Sequence, residues 1–131
     1  MKKIVFALIA LAFLLSACAA GNDGDGAGAP AAVEDYLTAL VTQDSDRMST
    51  LSCADWEEMA LLELDSFQGV TARVEEPGCT QTGTDGDAAL VTCSGKIIAT
   101  YNNEDQELGL DMRVFRVVEE GGNWLVCGYQ E

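Results

Sequence analysis

A chain of 131 residues with 22 acidic against 7 basic side chains carries a net charge of −15 and repels phosphate backbones, which excludes nucleic acid as a partner. It contains no histidine, so Ser-His-Asp and Cys-His catalysis are excluded and the commonest general base is missing. Its length is that of one small domain plus a leader.

The chain opens with Lys2 and Lys3, then an uncharged apolar run from Ile4 to Leu15, then Ser16, Ala17 and Cys18. Charge, apolar core and small residues in that order form a secretory signal. Twelve residues rise only about 18 Å as a helix, too little for a ~30 Å hydrocarbon core. Leu15-Ser16-Ala17-Cys18 resembles the lipobox of bacterial lipoproteins. The resemblance implies cleavage after Ala17, a diacylglycerol on the Cys18 thiol, palmitate as an added acyl chain, and anchorage in the cell envelope on the extracytoplasmic side of a membrane. Cleavage leaves 5 basic against 22 acidic residues. Anionic head groups repel such a domain, so the lipid tether, and not the protein surface, is expected to hold it at the membrane.

Residues 18–30 are small, Gly-rich and without apolar period, and read as a flexible tether. Asp23, Asp25, Gly28 and Glu34 fall at positions 1, 3, 6 and 12 of a calcium loop. Ala27 at position 5, the interrupting Pro30 and the lack of a preceding helix argue for a linker instead. Residues 31–131 then form a single domain.

Pro30 suits a first helical turn, and Val33, Tyr36, Leu37, Leu40 and Val41 recur at helical spacing. Ser45 is a candidate cap for a short helix carrying Met48 and Leu51. Asp55 with Glu58 resembles a capping box for a third helix whose apolar face holds Trp56, Met59, Ala60 and Leu62 or Leu64, ending near Gly69. Beyond it, Val70–Glu76, Ala88–Tyr101, Gln106–Glu119 and Asn123–Gln130 read as four strands separated by Gly- and Asn-rich turns. Short turns make an antiparallel meander. The class is α+β, with N-terminal helices packed on a curved four-stranded antiparallel meander. A turn centred between Asn103 and Glu104 sets Lys96 opposite Asp111. It gives one apolar face to Ala89, Val91, Cys93, Ile97 and Ala99, opposite Leu108, Leu110, Met112, Val114 and Val118.

The amphipathic first helix, the Met48–Ser52 segment, the meander and its closing Gly121-Gly122-Asn123-Trp124 strand are similar to the NTF2-like superfamily, notably its small cystatin-like lipoprotein domains. The resemblance covers roughly residues 31–130 and implies a cone whose sheet wraps a helix around a pocket. Its enzymatic members use interior Asp, His or Tyr, and pairing through sheet faces is common among its members.

Besides Cys18 there are Cys53, Cys79, Cys93 and Cys127, an even number in an exported domain, which points to two disulfides. Zinc needs close cysteine pairs or histidine, and neither is present, so no metal and no cofactor are expected. In the meander Cys79 lies one diagonal from Cys93, whereas Cys93 and Cys127 stand two strands, at least ~9.5 Å, apart, beyond the ~7 Å reach of a bridge. The expected pairs are Cys79–Cys93 and Cys53–Cys127.

The strands offer no acid on the inferred inner face, so no catalytic residue is assigned. Arg116 is the charged residue there, with Tyr101 and Tyr129 as polar handles, a candidate pocket for a small molecule whose identity the sequence does not give. On the outer face Leu90, Phe115, Val117, Trp124 and Val126 cluster in register, a candidate surface for a homodimer or another protein partner. The expectation is a lipid-anchored, non-catalytic binding or protein-interaction module. The alternative is a small-molecule carrier or an enzyme using the interior.

Overall fold

The computed structural model describes residues 28–131. Three helices, α1 (Gly28–Thr42), α2 (Ser45–Leu51) and α3 (Glu57–Asp65), precede seven strands. These are β1 (Thr71–Glu75), β2 (Cys79–Asp85), β3 (Ala88–Cys93), β4 (Lys96–Tyr101), β5 (Glu104–Gly109), β6 (Val114–Glu120) and β7 (Asn123–Gln130). Helix α1 takes Gly28, Ala29 and Pro30 out of the expected tether, with Ala29 and Pro30 buried. A Cβ on Gly28 would collide with the Trp124 indole, which is why a residue without one stands there. Cys18 and the leader lie outside the described residues.

The strands form two antiparallel sheets, β1-β4-β5 and β2-β3-β6-β7, and not the single four-stranded meander of the cone expected from the sequence. The expected strand Ala88–Tyr101 breaks at Ser94-Gly95 into β3 and β4, one in each sheet. Gly95 has φ +87°, and a side chain there would collide with the carbonyls of Glu75 and Glu76. The expected strand Gln106–Glu119 likewise breaks at Leu110–Arg113 into β5 and β6, where the Leu110 N–H donates to Gly95 O at 3.1 Å. Glycine lets the backbone turn at a point where an uninterrupted run of β-formers would continue. Strand β2 fills the segment left between the first two expected strands, and its turn to β3 lies at Gly86-Asp87.

The break also resets the register. Thr92 pairs with Val114 and Lys96 with Gly109. Between these pairs the first chain segment has three residues, Cys93–Gly95, and the second has four, Leu110–Arg113. The β4–β5 turn sits on Asn102 and Asn103, with φ 51° and 65°, the left-handed pair of a tight two-residue hairpin. Lys96 therefore faces Gly109, not Asp111, and its amine donates to Glu107 at 2.7 Å.

Helix α1 runs across both sheets, contacting β1, β2, β3, β6 and β7. Its Val33, Tyr36, Leu37 and Leu40 are fully buried, the face expected from their spacing. They meet Val91, Phe115, Val117 and Val126 from the larger sheet and Ile97 from the smaller. The Asp44 carboxylate, rather than Ser45, caps α2 by accepting from the Arg47 N–H. Helix α3 starts at Glu57 after Trp56, with no side-chain cap from Asp55. Two disulfides brace the domain. Cys79–Cys93 joins directly opposed residues of the β2–β3 hairpin, and Cys53–Cys127 ties the segment before α3 to β7. Both are the pairs expected from strand geometry.

Candidate functional site

The polar centre of the domain is a carboxylate supplied by a helix, not by a strand. Glu63 follows Ala60 by three residues and precedes Phe67 by four, so it shares the buried face of α3. The Tyr36 hydroxyl donates to Glu63 Oε2 at 3.1 Å, and Tyr129 OH and Arg113 Nη1 donate to Oε1 at 3.1 and 3.0 Å. Trp56 Nε1 donates in turn to Tyr36 OH at 3.1 Å. The guanidinium of Arg113 also lies over the Tyr129 ring, 4.3 Å from its centroid. With side-chain exposures of 15% and 13%, Arg113 and Glu63 form the least exposed ion pair among the described residues. Such a pair needs this many satisfied bonds to offset the desolvation of its charges.

The position of each partner has a local cause. Tyr129 reaches the network because β7 carries a bulge opposite Arg116, so that Tyr129 pairs with Phe115 and turns to the core side. Gly128, at φ 124°, lies in that bulge with the Trp56 ring against it. Arg113 sits on the Leu110–Arg113 connection that separates the two sheets. Burial, and secondarily the negative charge of Glu63, push the Tyr129 phenol up to about 12 and the Tyr36 phenol higher. Both are therefore donors, not bases, at neutral pH, and three donors already occupy the Glu63 carboxylate.

Arg113, Glu63 and Tyr129 line a cleft of about 380 Å3 together with the apolar Phe67, Val70, Ala99 and Leu108. Ser66 and Gln106 add polar groups to its lining. Leu108 is 42% exposed, and Leu62 and Met112, the sequence neighbours of Glu63 and Arg113, are exposed large apolar side chains. No group of three or more His, Cys, Asp or Glu is placed to hold a metal ion among the described residues.

The residues singled out in the sequence are distributed differently. Arg116 is exposed on the outer face of the four-stranded sheet, 3.6 Å from Asp85, and is not an interior group. It shares a shallow groove of about 340 Å3 with Tyr129, Trp56, Leu90 and Val114, whereas Tyr101 is 58% exposed on the β4–β5 hairpin and lines neither cavity. The expected interaction face is overturned. Phe115, Val117 and Val126 are fully buried, Trp124 packs on α1, and only Leu90 of the five belongs to the outer alternation. The cause is the register of β3 with β6. Ala89 pairs with Val117, not Val118, and a one-residue slip exchanges the two faces of a strand.

No protein-family model and no curated relative matches the chain. Among solved structures it is similar to that of a SEC-C motif containing protein from Rhodopseudomonas palustris, at 13% identity and a TM-score of 0.48, covering 76% of this chain and 75% of that one. That likeness is too distant to bear on the site.

Proposed function

We propose that this protein is a lipid-anchored binding module on the extracytoplasmic side of a bacterial membrane, non-catalytic, whose ligand site is the cleft lined by Arg113, Glu63 and Tyr129. The observation that carries the reading is the coupling of an aromatic-braced ion pair to an open, apolar-walled cleft. Small-ligand sites combine apolar walls with a few fixed polar groups in this way. The signal and lipobox residues through Cys18 support the location, and two disulfides suit an oxidising compartment. The described chain starts at Gly28 beside Trp124, five residues before Tyr129 on β7, or roughly 16 Å at strand rise. A tether at Gly28 therefore leaves the cleft at the far end of that strand.

Two measurements test this reading. Labelling with a palmitate analogue is expected to mark the wild-type protein in the membrane fraction, while Cys18→Ala is unlabelled; label retained by that variant would refute the anchor. Native mass spectrometry of protein drawn from its own membranes is expected to show a bound small molecule that Leu108→Asp loses. A ligand unaffected by that substitution would move the site elsewhere.

A protein-docking role is the second reading. It is favoured by Leu90, Val114, Val118 and Leu125, which are only half-buried on the outer face of the four-stranded sheet around Arg116. A second copy or another protein covering that face would bury them. Light scattering that finds only monomer at high concentration, with no partner bound, would sink it.

A further inference from the structure

The ligand class follows from the unused valence of Arg113. A guanidinium has five N–H donors. Nη1 donates to Glu63 at 3.0 Å, and Nε lies 3.4 Å from a Glu131 oxygen as an ion pair without hydrogen-bond geometry. Neither Nη2 donor has a partner among the described residues, and Arg113 lines the cleft. Glu131 shows that this guanidinium accommodates a second carboxylate beside Glu63, and it does so loosely, with a side chain 66% exposed. An exposed contact of that length contributes little and exchanges readily.

Resting on the reading of the cleft as a ligand site, we propose that it takes a small monocarboxylate with an apolar body. The carboxylate sits on the free edge of Arg113 in place of Glu131, and the body lies against Phe67, Val70, Ala99 and Leu108. Arg presents paired N–H groups that match a carboxylate in plane, a fit an ammonium does not offer. The overall charge of −15 does not forbid an anion here. The ligand adds one negative charge to the neighbourhood, and the displaced Glu131, whose side chain is already 66% exposed, turns into solvent where its own charge is screened. A cationic ligand finds no comparable place: the Glu63 oxygens hold three donors, and Arg113 covers the Tyr129 ring. A volume of about 380 Å3 admits a body of several carbons.

The experiment titrates the full chain carrying Cys18→Ala, which leaves no lipid of its own, with three series of equal alkyl length: butanoate to decanoate, the matching alcohols and the matching amines. Amide chemical shifts of Ala99 and Leu108 report the cleft. The acids are expected to bind at least ten-fold tighter than alcohols of the same length and to gain with length until the cleft is filled. Glu131→Gln, an exposed change, is expected to tighten acid binding two- to five-fold without altering alcohol binding. Arg113→Gln is expected to erase the preference for acids. Alcohols or amines that bind the cleft as tightly as acids overturn the carboxylate assignment and leave the cleft a ligand site. Silence from all three series overturns both. An acid affinity untouched by Glu131→Gln overturns the exchange with Glu131.

Discussion

The two sheets share helix α1 yet are built to different standards. The four-stranded sheet gives Val91, Phe115, Val117 and Val126, all fully buried, to the core, and disulfides fasten both its edge strands, β2 and β7. In the three-stranded sheet every residue of β5 is exposed, and its buried contribution is Ile97 and Ile98 on the middle strand. Apolar area removed from water sets how firmly a strand is held. The cleft spans both, with Tyr129 from the braced sheet on one side and Ala99, Gln106 and Leu108 from the lightly held one on the other.

Several substitutions can break that contrast. Phe115→Ala is expected to lower the free energy of unfolding by about 4 kcal/mol in urea titrations, whereas Leu108→Ala on β5 costs well under ~1 kcal/mol. Equal losses would refute the difference between the sheets. Replacing both Cys53 and Cys127 by Ala opens a loop of 74 residues and is expected to cost about 4 kcal/mol. Removing Cys79–Cys93, with its separation of 14, costs about 3 kcal/mol on the same chain-entropy basis. A reversed order would mean that the hairpin, not the tie to β7, braces the larger sheet.

The junction between the sheets is sharpened by its ion pair. Glu63→Leu strands Arg113 and is expected to cost about 3 kcal/mol, of which the double change Glu63→Leu with Arg113→Met recovers most. No recovery would mean that the phenols, and not the charges, hold α3 to the sheets. The smallest effect is that of alkaline pH. Tyr129 has its pKa raised from 10.0 to about 12, so the stability it lends is complete below pH 10 and fades as pH rises toward 12. Circular dichroism against pH is expected to show that decline in the wild type and a shallower one in Tyr129→Phe.

Much of the site was out of reach of strand patterning. Valines flank Arg116 on its own alternation, Val114 and Val118, while Phe115 and Val117 fill the other, so apolar content alone separates the two faces of β6 poorly and the register decides which is inside. The same ambiguity turned Phe115 and Val117 into a surface. Glu63 carried a legible signal, three residues after Ala60 and four before Phe67 on a helix face that is otherwise apolar. Strand alternation does not reveal it, because the carboxylate is supplied by a helix. Arg113 carried no such sign, since it lies in an irregular connection where no period applies.

The sequence by itself determined the buried face of α1 and the pairing of the four cysteines of the domain. Each depends on local spacing or on distances between neighbouring strands, which survive an error in face. Only the tertiary structure decided that the strands divide into two sheets at Gly95, that four residues oppose three across that break, and that Arg113 and Tyr129 meet Glu63. These follow from how separate segments meet in space. A single residue of excess reverses which side of a strand is inside, and it leaves the composition of the strand unchanged.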